Sequence, residues 1–126
     1  MLNKFLIIGA GGFFGSILRY VVSGFVQKFT PNSLFPWGTL VVNASGCLVI
    51  GILFGVSENT RIFSPHMRLL LFIGILGSYT TFSSFGYETF MLLRNNEIAS
   101  AFMNVFLQVF FGLFAVWLGY ILASWR

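Results

Sequence analysis

Charged side chains are too scarce in this chain, and too unevenly spread, for it to fold as a water-soluble domain. Only 8% of its 126 residues are Asp, Glu, Lys or Arg, against about 25% in a typical soluble protein. Six of these ten residues lie outside four apolar stretches, at about 3–27, 38–56, 67–93 and 98–124. Each stretch is near the ~20 residues a helix needs to cross the hydrocarbon core of a bilayer. Lipid offers backbone polar groups no partners, so such stretches must satisfy themselves as helices. The expected fold is all-α, an integral membrane four-helix bundle forming a single membrane domain over 1–126.

The rest of the composition agrees and removes several function classes. The chain is 57% hydrophobic, contains 17 Phe and has a mean hydropathy of +0.90. No long polar stretch remains for a soluble domain, a conventional enzyme core or a nucleic-acid surface. The net charge of +4 comes from seven Lys/Arg against three acids, which fits loop charge facing anionic headgroups. Cys47 is alone, which excludes an intrachain disulfide, and the single His66 beside Pro65 reads as a solvated loop-edge residue rather than a ligand. The N-terminus is apolar from Phe5 and runs past Arg19 without a small-residue cleavage pattern, as expected of a retained first span.

Within the first span, Gly11/Gly15 and Gly12/Ser16 form small-xxx-small pairs that let helix backbones approach closely in lipid. Arg19 continues the Gly11/Gly15 face. By helical rise it lies about 12 Å inside the end at Gln27, placed either to snorkel to the interface or to stand in the vestibule of an anion path. Lys28 to Trp37 is a loop marked by Pro31, Asn32, Ser33 and Pro36, with Trp37 as an interfacial anchor. In the second span Thr39, Asn43 and Gly46 share a face, and Gly51 and Gly55 form another small-residue pair. Asn43 has two readings, as interhelical glue or as a donor to an anion. The loop from Ser57 to Arg68 holds Glu58, Asn59 and Arg61. The turn Arg94 to Glu97 leads into a Phe-rich fourth span, which carries Asn104 and Gln108 one turn apart and ends at Trp125-Arg126.

The third span concentrates polarity that a spanning helix does not need. Gly74-Ile-Leu-Gly-Ser-Tyr-Thr-Thr-Phe-Ser-Ser-Phe-Gly-Tyr-Glu88 packs hydroxyls, glycines and an acid into an apolar segment. Gly74 and Gly77 are poor helix formers, and Ser78, Thr80, Thr81, Ser83 and Ser84 compete for backbone partners, so a broken or unwound third helix is expected near Gly77–Thr80. Two readings stay open: a glycine kink packed against Gly11 and Gly15, or unwound carbonyls of Gly77 and Thr80 holding a small hard cation such as sodium. Beyond it, Thr81, Ser84 and Glu88 fall on one helical stripe, and Thr80, Ser83 and Tyr87 on the next. Phe82 and Phe85 adjoin them. Hydroxyl donors can replace the lost water of a small hydrated anion, and ring edges of Phe carry the positive end of the quadrupole. Glu88 lies about 9 Å from Arg94 by helical rise, close enough for a pair near the interface.

Four spans put both termini on one side. With the termini inside, Lys4, Arg61, Arg68 and Arg126 face Lys28 and Arg94, with Arg19 near the far end of the first span. The positive-inside bias is then almost absent, and chains are expected to insert in both directions as an antiparallel, dual-topology homodimer. From the residues alone the function classes are a small-anion channel, a proton-coupled exporter of the small multidrug-resistance type, and a structural membrane subunit. The exporter class wants its Glu deep in the first span, where this chain has no acid. No nucleophile–base pair or metal set points to an enzyme.

The motifs Gly11-Gly-Phe-Phe-Gly-Ser-Ile-Leu-Arg19-Tyr, Gly38-Thr-Leu-Val-Val-Asn43-Ala-Ser-Gly46 and Gly74-x-x-Gly77-x-x-Thr80-Thr-Phe82-Ser-Ser-Phe85-x-x-Glu88 resemble the Fluc (CrcB) fluoride channels. The resemblance covers three of the four spans. It implies passive, selective fluoride export across the bacterial inner membrane through two pores of an antiparallel homodimer. It also implies one structural sodium ion, held by main-chain carbonyls at Gly77 and Thr80 of both subunits. Phe82 and Phe85 would be paired pore rings contributed across the interface, and Asn43 the pore-lining amide. Thr81, Ser83, Ser84 and Glu88 would form the polar track, with Arg19 at the vestibule. The fourth span departs from the pattern: hydroxyls expected at Gly112 and Val116, and a Tyr or similar expected at Asn104, are missing, and Asn104 and Gln108 carry its polarity instead as candidate pore residues.

Overall fold

The computed structural model describes residues 1–59 and 62–124. Arg61, Trp125 and Arg126, which entered the charge count and the end of the fourth span above, lie outside the described residues.

Four helical segments are long and apolar enough to cross a membrane. The first is α1 (Leu2–Phe29), closed by Thr30, whose N–H returns to the carbonyl of Gln27 just before Pro31. The second is α2 (Trp37–Asn59). Its entry is set by Ser33, whose hydroxyl accepts from both the Phe35 N–H and the Trp37 indole N–H. The third segment is composite: α3 (Pro65–Arg68), a π-helical stretch Leu69–Leu76, α4 (Gly77–Tyr79) and α5 (Phe82–Arg94). Pro65 occupies the first helical turn, where its missing N–H costs nothing, and Ser64 caps the Met67 N–H. After α5, Asn96 takes a φ of 59°, a left-handed conformation that Asn tolerates. The chain then reverses into α6 (Ile98–Ser124).

In the bundle α2 is the hub. It has its most extensive contact with α6, packs against α1, and touches the π stretch, α4 and α5. The π stretch lies mainly on α1. Glycines set both close approaches. A Cβ on Gly11 would sit 2.8 Å from the Leu70 carbonyl oxygen and 2.9 Å from the Gly74 Cα, and one on Gly15 would collide with the Ile75 carbonyl. On the other side, Gly51 abuts the Val116 carbonyl, Gly55 meets Tyr120 and Ala123, and Gly119 abuts the Leu48 carbonyl. The small-residue pairs are therefore backbone contact points. The glycine that meets Gly11 is Gly74, not Gly77. Gly77 is exposed, and a Cβ added there would approach nothing nearer than the Phe72 carbonyl oxygen at 3.6 Å.

Substituting Val at Gly11 or Gly15 forces one of these backbones to move and is expected to cost about 1–3 kcal/mol, the usual range for overpacking. Thermal unfolding of the detergent-solubilised protein checks this. Gly24→Ala, which meets nothing within 4 Å, is the control expected to stay near the parent.

Candidate functional site

The site begins where the third segment leaves helical geometry. Gly77 is still helical, with φ −63° and ψ −30°. Thr80 (φ −78°, ψ 156°) and Thr81 (φ −149°, ψ 116°) are extended and separate α4 from α5. The irregularity sits at Thr80–Thr81, beyond Gly77, because side chains there supply substitutes for the helical ladder.

In a continuous helix the N–H of Thr81 would bond the Gly77 carbonyl, and that of Ser84 the Thr80 carbonyl. Neither does. Thr81 N–H donates instead to Asn43 Oδ1 at 2.9 Å, and Ser84 N–H to Thr81 Oγ1 at 3.1 Å. Asn43 Nδ2 donates to the Thr81 carbonyl at 3.1 Å. One carboxamide from α2 thus satisfies both backbone groups of Thr81, while Thr81 caps α5. The carbonyls of Gly77 and Thr80 are left without their i+4 donors.

Two cavities flank this irregularity. One, about 370 Å³, is lined by Asn43, Thr80, Thr81, Phe82, Phe85 and Gln108, among others, with Gly77 and Cys47 on its wall. The Phe82 and Phe85 rings lie 5.5 Å apart at 57°. Phe85 is half-buried, but Phe82 is 83% exposed. The second, about 340 Å³, is lined by Ser16, Arg19, Tyr20, Ser23, Thr39, Thr81, Ser84 and Glu88. Thr81 lines both.

The polar stripe read from the sequence is partly rearranged. Thr81 donates to Ser84 Oγ at 3.0 Å and lies 3.3 Å from Ser83 Oγ, and Ser84 and Glu88 share the second cavity. Thr80 does not continue the Ser83/Tyr87 stripe, because that alignment assumed an unbroken helix. Its hydroxyl donates back to the Leu76 carbonyl and its methyl lies against Gly46. Glu88 is held by Thr39, whose hydroxyl donates to Oε1 at 2.7 Å, rather than by Arg94. Its Oε2 is buried without a partner. Thr39 was visible only as a face-mate of Asn43, since nothing in the sequence couples it to a residue 49 positions away.

Asn104 and Gln108 separate in space. Asn104 is fully buried and donates from Nδ2 to Thr89 Oγ1 at 2.9 Å, and it lines neither cavity. Gln108 accepts from Asn43 Nδ2 at 3.0 Å through Oε1 and lines the first cavity. Arg19 lines the second.

Fold and site together define a multi-pass membrane protein whose third segment carries a polar, irregular centre inside an apolar bundle. Residues 6–120 match the family described as "CrcB-like protein, Camphor Resistance (CrcB)". The chain belongs to that family. It is 48% identical over 118 residues to fluoride-specific ion channel FluC 1 of Methanosarcina acetivorans, covering 94% of this chain and 88% of that protein. It is 43% identical over 117 residues to fluoride-specific ion channel FluC of Flavobacterium psychrophilum, covering 93% and 94% of the two chains. With the FluC of Nitratidesulfovibrio vulgaris the identity is 42% over 118 residues, covering 94% of each.

If Asn43 holds Thr81 extended, Asn43→Leu leaves the Thr81 N–H and carbonyl unsatisfied, a loss of about 1–3 kcal/mol per group. Amide hydrogen exchange of the detergent-solubilised protein is expected to speed up at Thr81 and Ser84 in that variant. Unchanged protection at both would show that Asn43 does not maintain the geometry.

Proposed function

We propose that this protein is a fluoride-selective channel. Fluoride passes down its gradient along the track formed by Thr81, Ser83, Ser84 and Glu88, beside the rings of Phe82 and Phe85 and the carboxamide wall of Asn43 and Gln108. The observation that carries this reading is the extended Thr80–Thr81 pair lodged within an apolar bundle. It exposes the first-turn N–H groups of α5 at Phe82 and Ser83, whose partners cannot come from within the helix. The positive end of the α5 dipole favours an anion there. Hydroxyl donors follow along α5, and Arg19 adds a positive charge at the second cavity, where we place the vestibule. The relatives, each called a fluoride-specific ion channel, select fluoride among the anions this donor set would suit. A proton-coupled exporter is not favoured, since the one acid of the site, Glu88, belongs to the third segment and is tied to Thr39.

We also assign the Gly77 and Thr80 carbonyls to a structural sodium ion. They fit it as hard oxygen donors freed from helical bonding by Asn43 and Thr81, and Gly77 is exposed on the bundle surface. When bound, sodium would supply positive charge that offsets carbonyl dipoles otherwise costly in lipid. A second copy covering the exposed Gly77 and Phe82 completes the picture as an antiparallel, dual-topology homodimer with two pores. Each Phe82 then reaches across the interface into the partner's path.

Fluoride efflux from liposomes containing the purified protein tests the function, with chloride as control. Fluoride-driven efflux with chloride at background is expected, and equal rates for the two anions would overturn the reading. Asn43→Asp is expected to slow or stop fluoride, because a carboxylate replaces a neutral amide on the wall of the path. Single cysteines placed at each terminus, labelled from either side of the membrane, are expected to react from both sides. One-sided labelling would remove the dual topology.

A further inference from the structure

We infer that Gln108, and not Asn43, presents the amide donor to the passing anion, and that Asn43 is the positioning residue that aims it. The inference rests on the reading of the first cavity as part of a fluoride path. It follows from donor and acceptor polarity, starting at the backbone. A backbone N–H can only donate, so the Thr81 N–H requires Asn43 to turn Oδ1 toward it, as observed at 2.9 Å. That orientation commits Nδ2. Its two hydrogens go to the Thr81 carbonyl at 3.1 Å and to Gln108 at 3.0 Å, which exhausts the donors of an amide. Because Asn43 approaches Gln108 with a donor, Gln108 must turn Oε1 toward it. Nε2 is then directed away from Asn43, buried and without a hydrogen-bond partner, on a residue that lines the cavity beside Phe82 and Phe85.

The other hydroxyls on that wall are spent. Thr80 Oγ1 donates to the Leu76 carbonyl at 2.9 Å and Thr81 Oγ1 donates to Ser84 Oγ. Among the described residues lining the cavity, Gln108 therefore holds the carboxamide whose N–H groups are uncommitted. A buried unpaired donor is costly, and a dehydrated anion is the partner that satisfies it. Backbone polarity at Thr81 is passed through two side chains, from the junction of α4 and α5 through α2 to α6, so that the positive end of an amide dipole lies on the path.

Two substitutions separate donor from scaffold. Gln108→Met keeps the length of the side chain and removes its polarity. Gln108→Glu keeps the acceptor for Asn43 and removes the donor. Both are expected to lower fluoride efflux from liposomes about tenfold to a hundredfold, the rate equivalent of one hydrogen bond to a charged group, while the thermal unfolding midpoint in detergent stays near the parent. Parental fluoride flux in either variant would overturn the assignment. The role of Asn43 is read from Asn43→Ser combined with Gln108→Met: the double variant is expected to conduct no less than the slower single variant. Losses that multiply would give Asn43 its own contact with the anion and overturn its positioning role. Failure of the parent protein to carry fluoride over chloride would instead remove the fluoride reading itself, a separate outcome.

Discussion

Everything distinctive about this bundle depends on one carboxamide bonding both backbone groups of one residue. Extended backbone inside an apolar bundle is costly because lipid offers no alternative partners. Asn43 meets that cost at Thr81 by accepting from its N–H and donating to its carbonyl, in effect a short piece of ladder supplied by a side chain. Thr81 then caps α5 through Ser84. Two residues leave the helix without stranding the groups around Thr81, and the freed ends acquire opposite character, carbonyls on the α4 side and N–H groups on the α5 side.

That separation lets one irregularity serve two ions in the function proposed above. A cation suits the Gly77 and Thr80 carbonyls, and an anion suits the start of α5 and the hydroxyls beyond it. The packing around the site holds it in place. Gly11 and Gly15 bring α1 against the π stretch, and Gly51, Gly55 and Gly119 bring α2 against α6. With α2 packed against both α6 and α1, Asn43 reaches Thr81 and Gln108 together. The one-turn spacing of Asn104 and Gln108 on α6 then separates their tasks. Asn104 joins α6 to α5 at Thr89, and Gln108 reaches the cavity.

Much of the site was readable from the residues because lipid makes polarity informative. Asn43, Glu88 and the run from Thr80 to Ser84 stand out since a spanning helix has no use for them. Their partners were not readable. The proximity of Glu88 and Arg94 in sequence points to an ion pair, yet the carboxylate is held by Thr39, because α2 lies beside α5 at that level. Extrapolating a helical stripe back through Thr80 fails for a related reason: helical periodicity predicts neighbours only while the helix lasts. The π stretch Leu69–Leu76 has no signature at all, being uniformly apolar.

The sequence by itself determined the membrane class, the all-helical architecture and the identity of the residues worth watching. Each of these follows from local cost: charge scarcity, span length, and the penalty for polar groups in lipid are properties of residues one at a time. Tertiary structure decided the rest. It put the irregularity at Thr80–Thr81, the far edge of the Gly77–Thr80 stretch expected to break, gave Glu88 to Thr39, and turned the Gln108 donor away from Asn43. Those outcomes depend on which donor meets which acceptor across three helices, and hydrogen-bond polarity is settled only when the partners are in place.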